Sequence, residues 1–240
     1  MTALHPILVQ RTADGRPWGD ILRFITGGYY IDAEHWLHGP DVVRRPISEA
    51  TSQPFIHPRN AILHTNAATK GASSLWSYIS QASVTGEPHF QVGYKAMEQY
   101  MPLNRRADCN YTANRWLDTK AGGRYFGAIS FETQDDGAAT LNTTPWSLAQ
   151  LGHMANALTA IGVCYGVMCT QPATWDGSGI GHHSLFPFQG IGKPAWTNVR
   201  GKTCPGAARI RQMDYVRAMV ADRMANFVRE TGFQCGRIGV

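Results

Sequence analysis

Short apolar runs alternate along the chain with stretches broken by glycine and proline, and that rhythm predicts the elements. Ala61-Ile62-Leu63, bounded by Asn60 and His64, is a continuous apolar run of strand length and predicts a buried strand over 60–65. Leu75, Trp76 and Ile79 fall at helical spacing and predict a helix over 73–83. His89-Phe90-Gln91-Val92 alternates and predicts a second strand. A third and stronger one is predicted over 125–133, where Phe126, Ile129 and Phe131 recur, with a turn at Gln134-Asp-Asp-Gly137. Thr144-Pro145 reads as an N-cap followed by proline at the first helical position. Leu148, Leu151, Ala155, Leu158 and Ile161 continue one face, so an amphipathic helix is predicted over 145–162. A Gly/Pro/Trp-rich loop fills 170–203, and Pro205 opens a last helix with Ile210, Met213, Val216, Val220, Met224 and Phe227 on its buried stripe. Residues 1–58 carry prolines at 6, 17, 40, 46, 54 and 58 and turn pairs Asp14-Gly15 and Gly27-Gly28, which predicts an irregular lead-in. Strands interleaved with helices make this an α/β domain over 59–240, with the lead-in packed on it.

Composition narrows the classes. Charged residues are 16% of the chain, below the roughly 25% of an average soluble domain, and aromatic residues are 10%, so disorder is excluded. No window approaches ~20 uninterrupted apolar residues, so no membrane insertion is expected. The net charge of +5 is spread: the densest clusters are Arg44-Arg45, Arg105-Arg106 and Arg209/Arg211, too short for a nucleic-acid stripe. An anionic cell wall is the better polyanion for such a balance. Five cysteines, an odd number, follow an N-terminus without a signal-peptide pattern, so reduced thiols are expected and one is free to act as a ligand or nucleophile.

Most of the nine histidines read as structural. His5, His35, His38 and His57 belong to the lead-in and read as surface or loop residues, and His153 lies opposite the apolar stripe of its helix and reads as solvated. His89, beside Phe90 in a strand, reads as a hydrogen-bonded core residue. His64 differs, because it ends a buried strand and is delivered into a polar turn at Thr65-Asn66. His182 and His183 are adjacent on an extended segment and point to opposite sides, so only one of them reaches a given site. Cys204 precedes a predicted helix start, where the dipole favours thiolate, and Lys202 shares its side of the chain. Two histidines and a thiolate form a recognised catalytic zinc set with room for a water. Glu132, costly on a strand otherwise filled by Ile129 and Phe131 unless it faces a cleft, is the carboxylate that could move the proton. Lys202 could stabilise an oxyanion.

Several segments carry a family resemblance: Ala61-Ile-Leu-His64-Thr, Pro88-His-Phe-Gln-Val92, Ala128-Ile-Ser-Phe-Glu132-Thr-Gln-Asp135, Gly179-Ile-Gly-His-His183 and Trp196-Thr-Asn-Val-Arg-Gly-Lys202-Thr-Cys204-Pro-Gly206. In their order over about 60–215 they resemble the zinc-dependent N-acetylmuramoyl-L-alanine amidases of the type 2 amidase/peptidoglycan recognition protein superfamily. Within it, the likeness is greatest to the amidase domains of lysin A endolysins from mycobacteriophages and related actinobacterial phages. The Lys-x-Cys-Pro-Gly element is the most specific of them. The resemblance implies a central mixed β-sheet flanked by helices, with Zn2+ held by His64, His183 and Cys204, Glu132 as the catalytic carboxylate and Lys202 as its cationic helper. It implies hydrolysis of the amide between N-acetylmuramic acid and L-alanine of peptidoglycan, by a monomer made in the host cytoplasm without a signal peptide and released to the wall by a holin. Two alternatives from other classes are a non-catalytic peptidoglycan-binding module on the same fold and a Cys/His hydrolase with Cys204 as nucleophile. The chain departs from some relatives at Pro88, where they place a Tyr. Between His183 and Cys204 lies a long loop with Phe186, Phe188 and Trp196 that reads as a groove wall, no wall-binding module is expected after the amidase, and 1–58 matches nothing in the family.

Overall fold

A computed structural model describes residues 2–66, 74–81, 83–135 and 142–233. Along the chain come α1 (Trp18–Thr26), β1 (Tyr30–Ile31), β2 (Leu37–His38), β3 (Val42–Arg44), β4 (His57–Leu63), α2 (Trp76–Ile79), β5 (Phe90–Val92) and β6 (Met97–Gln99). They are followed by β7 (Trp116–Asp118), β8 (Arg124–Thr133), α3 (Leu148–Tyr165), β9 (Gly179–His182), α4 (Ala207–Ile210) and α5 (Met213–Thr231). The strands β3-β6-β5-β8-β4-β9 form one sheet in that order, with β7 added antiparallel to β8. β4 runs parallel to both β8 and β9, β5 runs parallel to β8, and β6 is antiparallel to β5. This is the expected mixed sheet flanked by helices.

Strand parity decides what each face carries. Ala61, Leu63, Phe90, Ile129, Phe131 and Ile180 join the main core under α3 and α5, while Ile62 and Ala128 join a second cluster around Trp196 and Ala113 on the opposite face. Successive side chains alternate, so Glu132 follows Ala128 and Ser130 onto the Trp196 side, and Gly181 lies on that side as well. The carboxyl ends of β4, β8 and β9 emerge at one edge, where open parallel sheets place their ligand sites.

The lead-in differs from expectation. Pro17 stands at the N-cap of α1 and Gly27 closes it in the left-handed conformation (φ 65°), so the marks read as loop punctuation are a helix start and stop. Trp18 of α1 packs edge-on against Phe227 and Phe233, and β3 extends the central sheet by pairing with β6. His57 opens β4, and His5 and His35 pack around Tyr165. His153 is corrected too: it is buried on α3, with Nδ1 2.9 Å from the Tyr29 hydroxyl, because the lead-in covers the helix face that periodicity assigned to solvent. The start of α3 moves to Ser147, whose side chain accepts from Gln150 N–H in a capping box, in place of Thr144-Pro145. Of the helix predicted over 73–83, one turn is present, with residues 73 and 82 outside the described set. The last helix starts at Met213 after the short α4, β9 interrupts the loop of 170–203, and part of the turn at 134–137 lies outside the described residues.

Candidate metal centre

His64 leaves the end of β4 with its backbone N–H donating to Phe131 O, and His183 leaves β9 with its N–H donating to Leu63 O. The two rings therefore sit side by side, centroids 4.2 Å apart at 54°. Cys204 arrives from the loop before α4, where its Sγ accepts from Thr65 N–H at 3.2 Å. One ligand atom from each of His64, His183 and Cys204 lies within 4.8 Å of the others, and all three residues are buried. Arg209, 1% exposed, donates to Thr65 Oγ1 and Pro205 O and so ties the Cys204 loop to the end of β4.

His182 is left out of this group. Ile180 faces the helices, so two residues on His182 faces them as well, where its Nδ1 lies 3.1 Å from Ser184 Oγ. Glu132 comes close: Oε1 is 3.6 Å from His64 Nδ1, and its side chain is 16% exposed. Lys202 lines the same cleft, a hollow of about 510 Å3 bounded also by Thr85, Cys109, Tyr111, Trp196 and Asn198. A larger hollow of about 780 Å3 between α1 and α5 has mixed apolar, polar and charged walls, among them the Arg16–Glu230 ion pair, and the three ligand-type groups lie elsewhere.

The protonation states are set mainly by burial. It pulls His64 down to about 3 and holds His183 far below its usual value, with His64 and Lys202 adding to the latter. Both imidazoles are thus neutral at pH 7, the form that ligates a metal, and the His64–Glu132 contact is not an ion pair. Burial pushes Glu132 up to about 7 against the pull of Lys202, with Asp135 adding a smaller push. The thiolate expected at Cys204 is not favoured by the protein alone: burial, then the Glu132 charge, drives the thiol well up, and α4 is a single turn. Only a cation in the cluster would reverse that.

The donor set fits such a cation. Nδ1 of His64, Nδ1 of His183 and Oε2 of Glu132 are buried without a hydrogen-bond partner, a costly arrangement in a metal-free protein. Two imidazole nitrogens and a thiol suit zinc. Sequence reasoning missed Asn110, whose Oδ1 lies 2.8 Å from His64 Nε2, and Cys109, whose Sγ lies 4.0 Å from the same nitrogen. No motif marks either of them. The reading of His89 as a core residue agrees with its position, fully buried between Ser130 Oγ and Arg105 O.

No protein-family profile matches the chain, and no curated protein matches it. Solved structures do. The Staphylococcus aureus hydrolase AmiA, solved in complex with its ligand, superposes with a TM-score of 0.50 at 14% identity, covering 81% of this chain and 88% of that one. The endolysin N-acetylmuramoyl-L-alanine amidase LysCS from Clostridium intestinale gives 0.47 at 14% identity, covering 77% and 97%, and a mutant endolysin from Bacillus subtilis gives 0.44 at 18% identity, covering 75% and 96%. At these identities the likeness is one of fold.

Proposed function

We propose that the chain is a zinc-dependent N-acetylmuramoyl-L-alanine amidase that cleaves peptidoglycan between the lactyl group of N-acetylmuramic acid and L-alanine. The observation that carries the reading is the convergence of two partnerless imidazole nitrogens and a buried thiol beside a partnerless carboxylate oxygen, reached through a cleft that His183, Glu132 and Lys202 line. Zinc bound there supplies a Lewis acid for the scissile carbonyl and lowers the pKa of a water to ~7. Glu132 takes a proton from the attacking water and returns it to the leaving amine, a role that needs a pKa near the working pH. Burial raises it toward that range, while a dication would draw it back down. Lys202, on the cleft wall, holds negative charge developing on the carbonyl oxygen. His64 and His183, neutral at pH 7, would hold the metal together with Cys204, and the Phe186–Trp196 pair stiffens the side of the cleft that would meet the glycan-peptide.

The Lys202-Thr-Cys204-Pro-Gly206 element supports the finer assignment to an endolysin-type amidase. The test is metal analysis of the purified protein together with mass spectrometry of digested actinobacterial peptidoglycan. About one zinc per chain and release of peptides with free L-alanine amino termini are expected. Activity that survives both chelation and Glu132→Ala refutes the mechanism, and metal binding without any cleavage points to a binding module.

A further inference from the structure

We propose that Asn110 is the positioning residue that fixes the tautomer and ring orientation of His64, so that Nδ1 is the atom presented for metal binding. The inference rests on the metal-site reading above and extends it to a residue outside the ligand set. Asn110 and His64 are both fully buried, and Asn110 Oδ1 sits 2.8 Å from His64 Nε2. A carboxamide oxygen only accepts, so this geometry requires the proton on Nε2 and leaves the lone pair on Nδ1, the ring nitrogen that has no hydrogen-bond partner. The reversed carboxamide would put Nδ2 on the ring, move the proton to Nδ1 and block ligation. Cys109 Sγ, at 4.0 Å from the same nitrogen, is too distant and too weak to compete.

The loop fixes the backbone of Asn110, and the carboxamide is held through Oδ1 alone, its Nδ2 being buried without a hydrogen-bond partner. Asn110 N–H donates to Asn114 Oδ1 at 2.6 Å, and Ala113 N–H returns to Asn110 O at 2.9 Å. Tyr111, at φ 48°, takes a left-handed conformation that a bulky residue rarely adopts, which is where the chain bends to aim Asn110 inward. Thr112 then exchanges hydrogen bonds with the backbone of Ala195, in the segment between His183 and Cys204. The orientation of one ligand is thereby tied to the loop that leads to another. Outer partners of this kind change metal affinity by about 10–100-fold.

The experiment combines zinc affinity, measured by chelator competition, with 15N NMR of the His64 ring in the metal-free wild type. The Nε2–H tautomer is expected in the wild type, and Asn110→Ala is expected to bind zinc about 10–100-fold more weakly. Asn110→Asp, which in its ionised form accepts at that position, is expected to remain within a few-fold of wild type even if the alanine variant does not fold. A wild-type Nδ1–H tautomer, unchanged zinc affinity in a folded Asn110→Ala, or loss in Asn110→Asp equal to that in Asn110→Ala would each overturn the assignment. If the wild type binds no zinc, the metal-site reading fails, and the tautomer measurement still decides the role of Asn110.

Discussion

Gly181 is where sequence motif and packing can be tested against each other. It lies on β9 two residues before His183, and a Cβ built there would meet Trp196 Cη2 at 2.4 Å and Cζ3 at 2.5 Å. Ordinary carbon contacts are about 3.5–4.0 Å, so Gly181→Ala forces strand and ring apart by about 1 Å. The ring cannot swing away freely: its Nε1 donates to Trp175 O at 2.7 Å, and Phe186 packs edge-on behind it with centroids 4.8 Å apart. Overpacking of this kind costs about 1–3 kcal/mol, and the stretched indole hydrogen bond places this case toward the upper end. Trp196→Leu removes most of a fully buried ring and costs on the order of 3 kcal/mol by itself. In the double variant the alanine methyl enters space that the indole has vacated, so the combined loss should fall short of the sum by at least about 1 kcal/mol. Urea unfolding of wild type, both single variants and the double variant measures this coupling. Additivity within about 0.5 kcal/mol would show that the glycine is not there for Trp196.

Other expectations follow from the same geometry. Glu132→Gln should retain zinc but lose about 10²–10⁴ in turnover, read by metal content and wall digestion in parallel; a variant with near-normal turnover would remove Glu132 from the mechanism. His183→Ala should lose zinc while His182→Ala keeps it, because strand alternation turns only the former toward His64; the opposite result would reverse the face assignment. Chelation should lower the melting temperature and added zinc restore it, with the zinc-dependent increment lost in Cys204→Ala. His5, held at about 4 by burial with help from His35 and His57 against Asp32, should add acid lability. Its folded pKa lies below the unfolded 6.5, so the stabilisation is present above pH 6.5 and lost as pH falls toward 4, by at most about 3 kcal/mol. A His5→Asn variant should show a shallower loss of stability over that window, and an unchanged slope would refute the linkage.

What could be read in advance was the part encoded by strand parity and local punctuation. The run Ala61-Ile62-Leu63 and the strand through Phe131 announce themselves by composition, and alternation then determines that Glu132 and one of two adjacent histidines face the cleft. The lead-in was misread because proline and glycine mark a helix boundary as readily as a loop. Pro17 and Gly27 do the former, and only the packing of Trp18 on Phe227 distinguishes the two. His153 failed for a related reason: periodicity gives the helix face a residue occupies, and whether another segment covers that face is a tertiary fact, here supplied by Tyr29. Asn110 lay beyond reach altogether. Its contact with His64 joins loop to strand end across distant parts of the chain, and an isolated Asn in a polar loop carries no local signal. The ligands at a site of this kind are therefore more legible than the residues that aim them, because ligands must sit where regular strands end, while their supports can be supplied by any loop that reaches them.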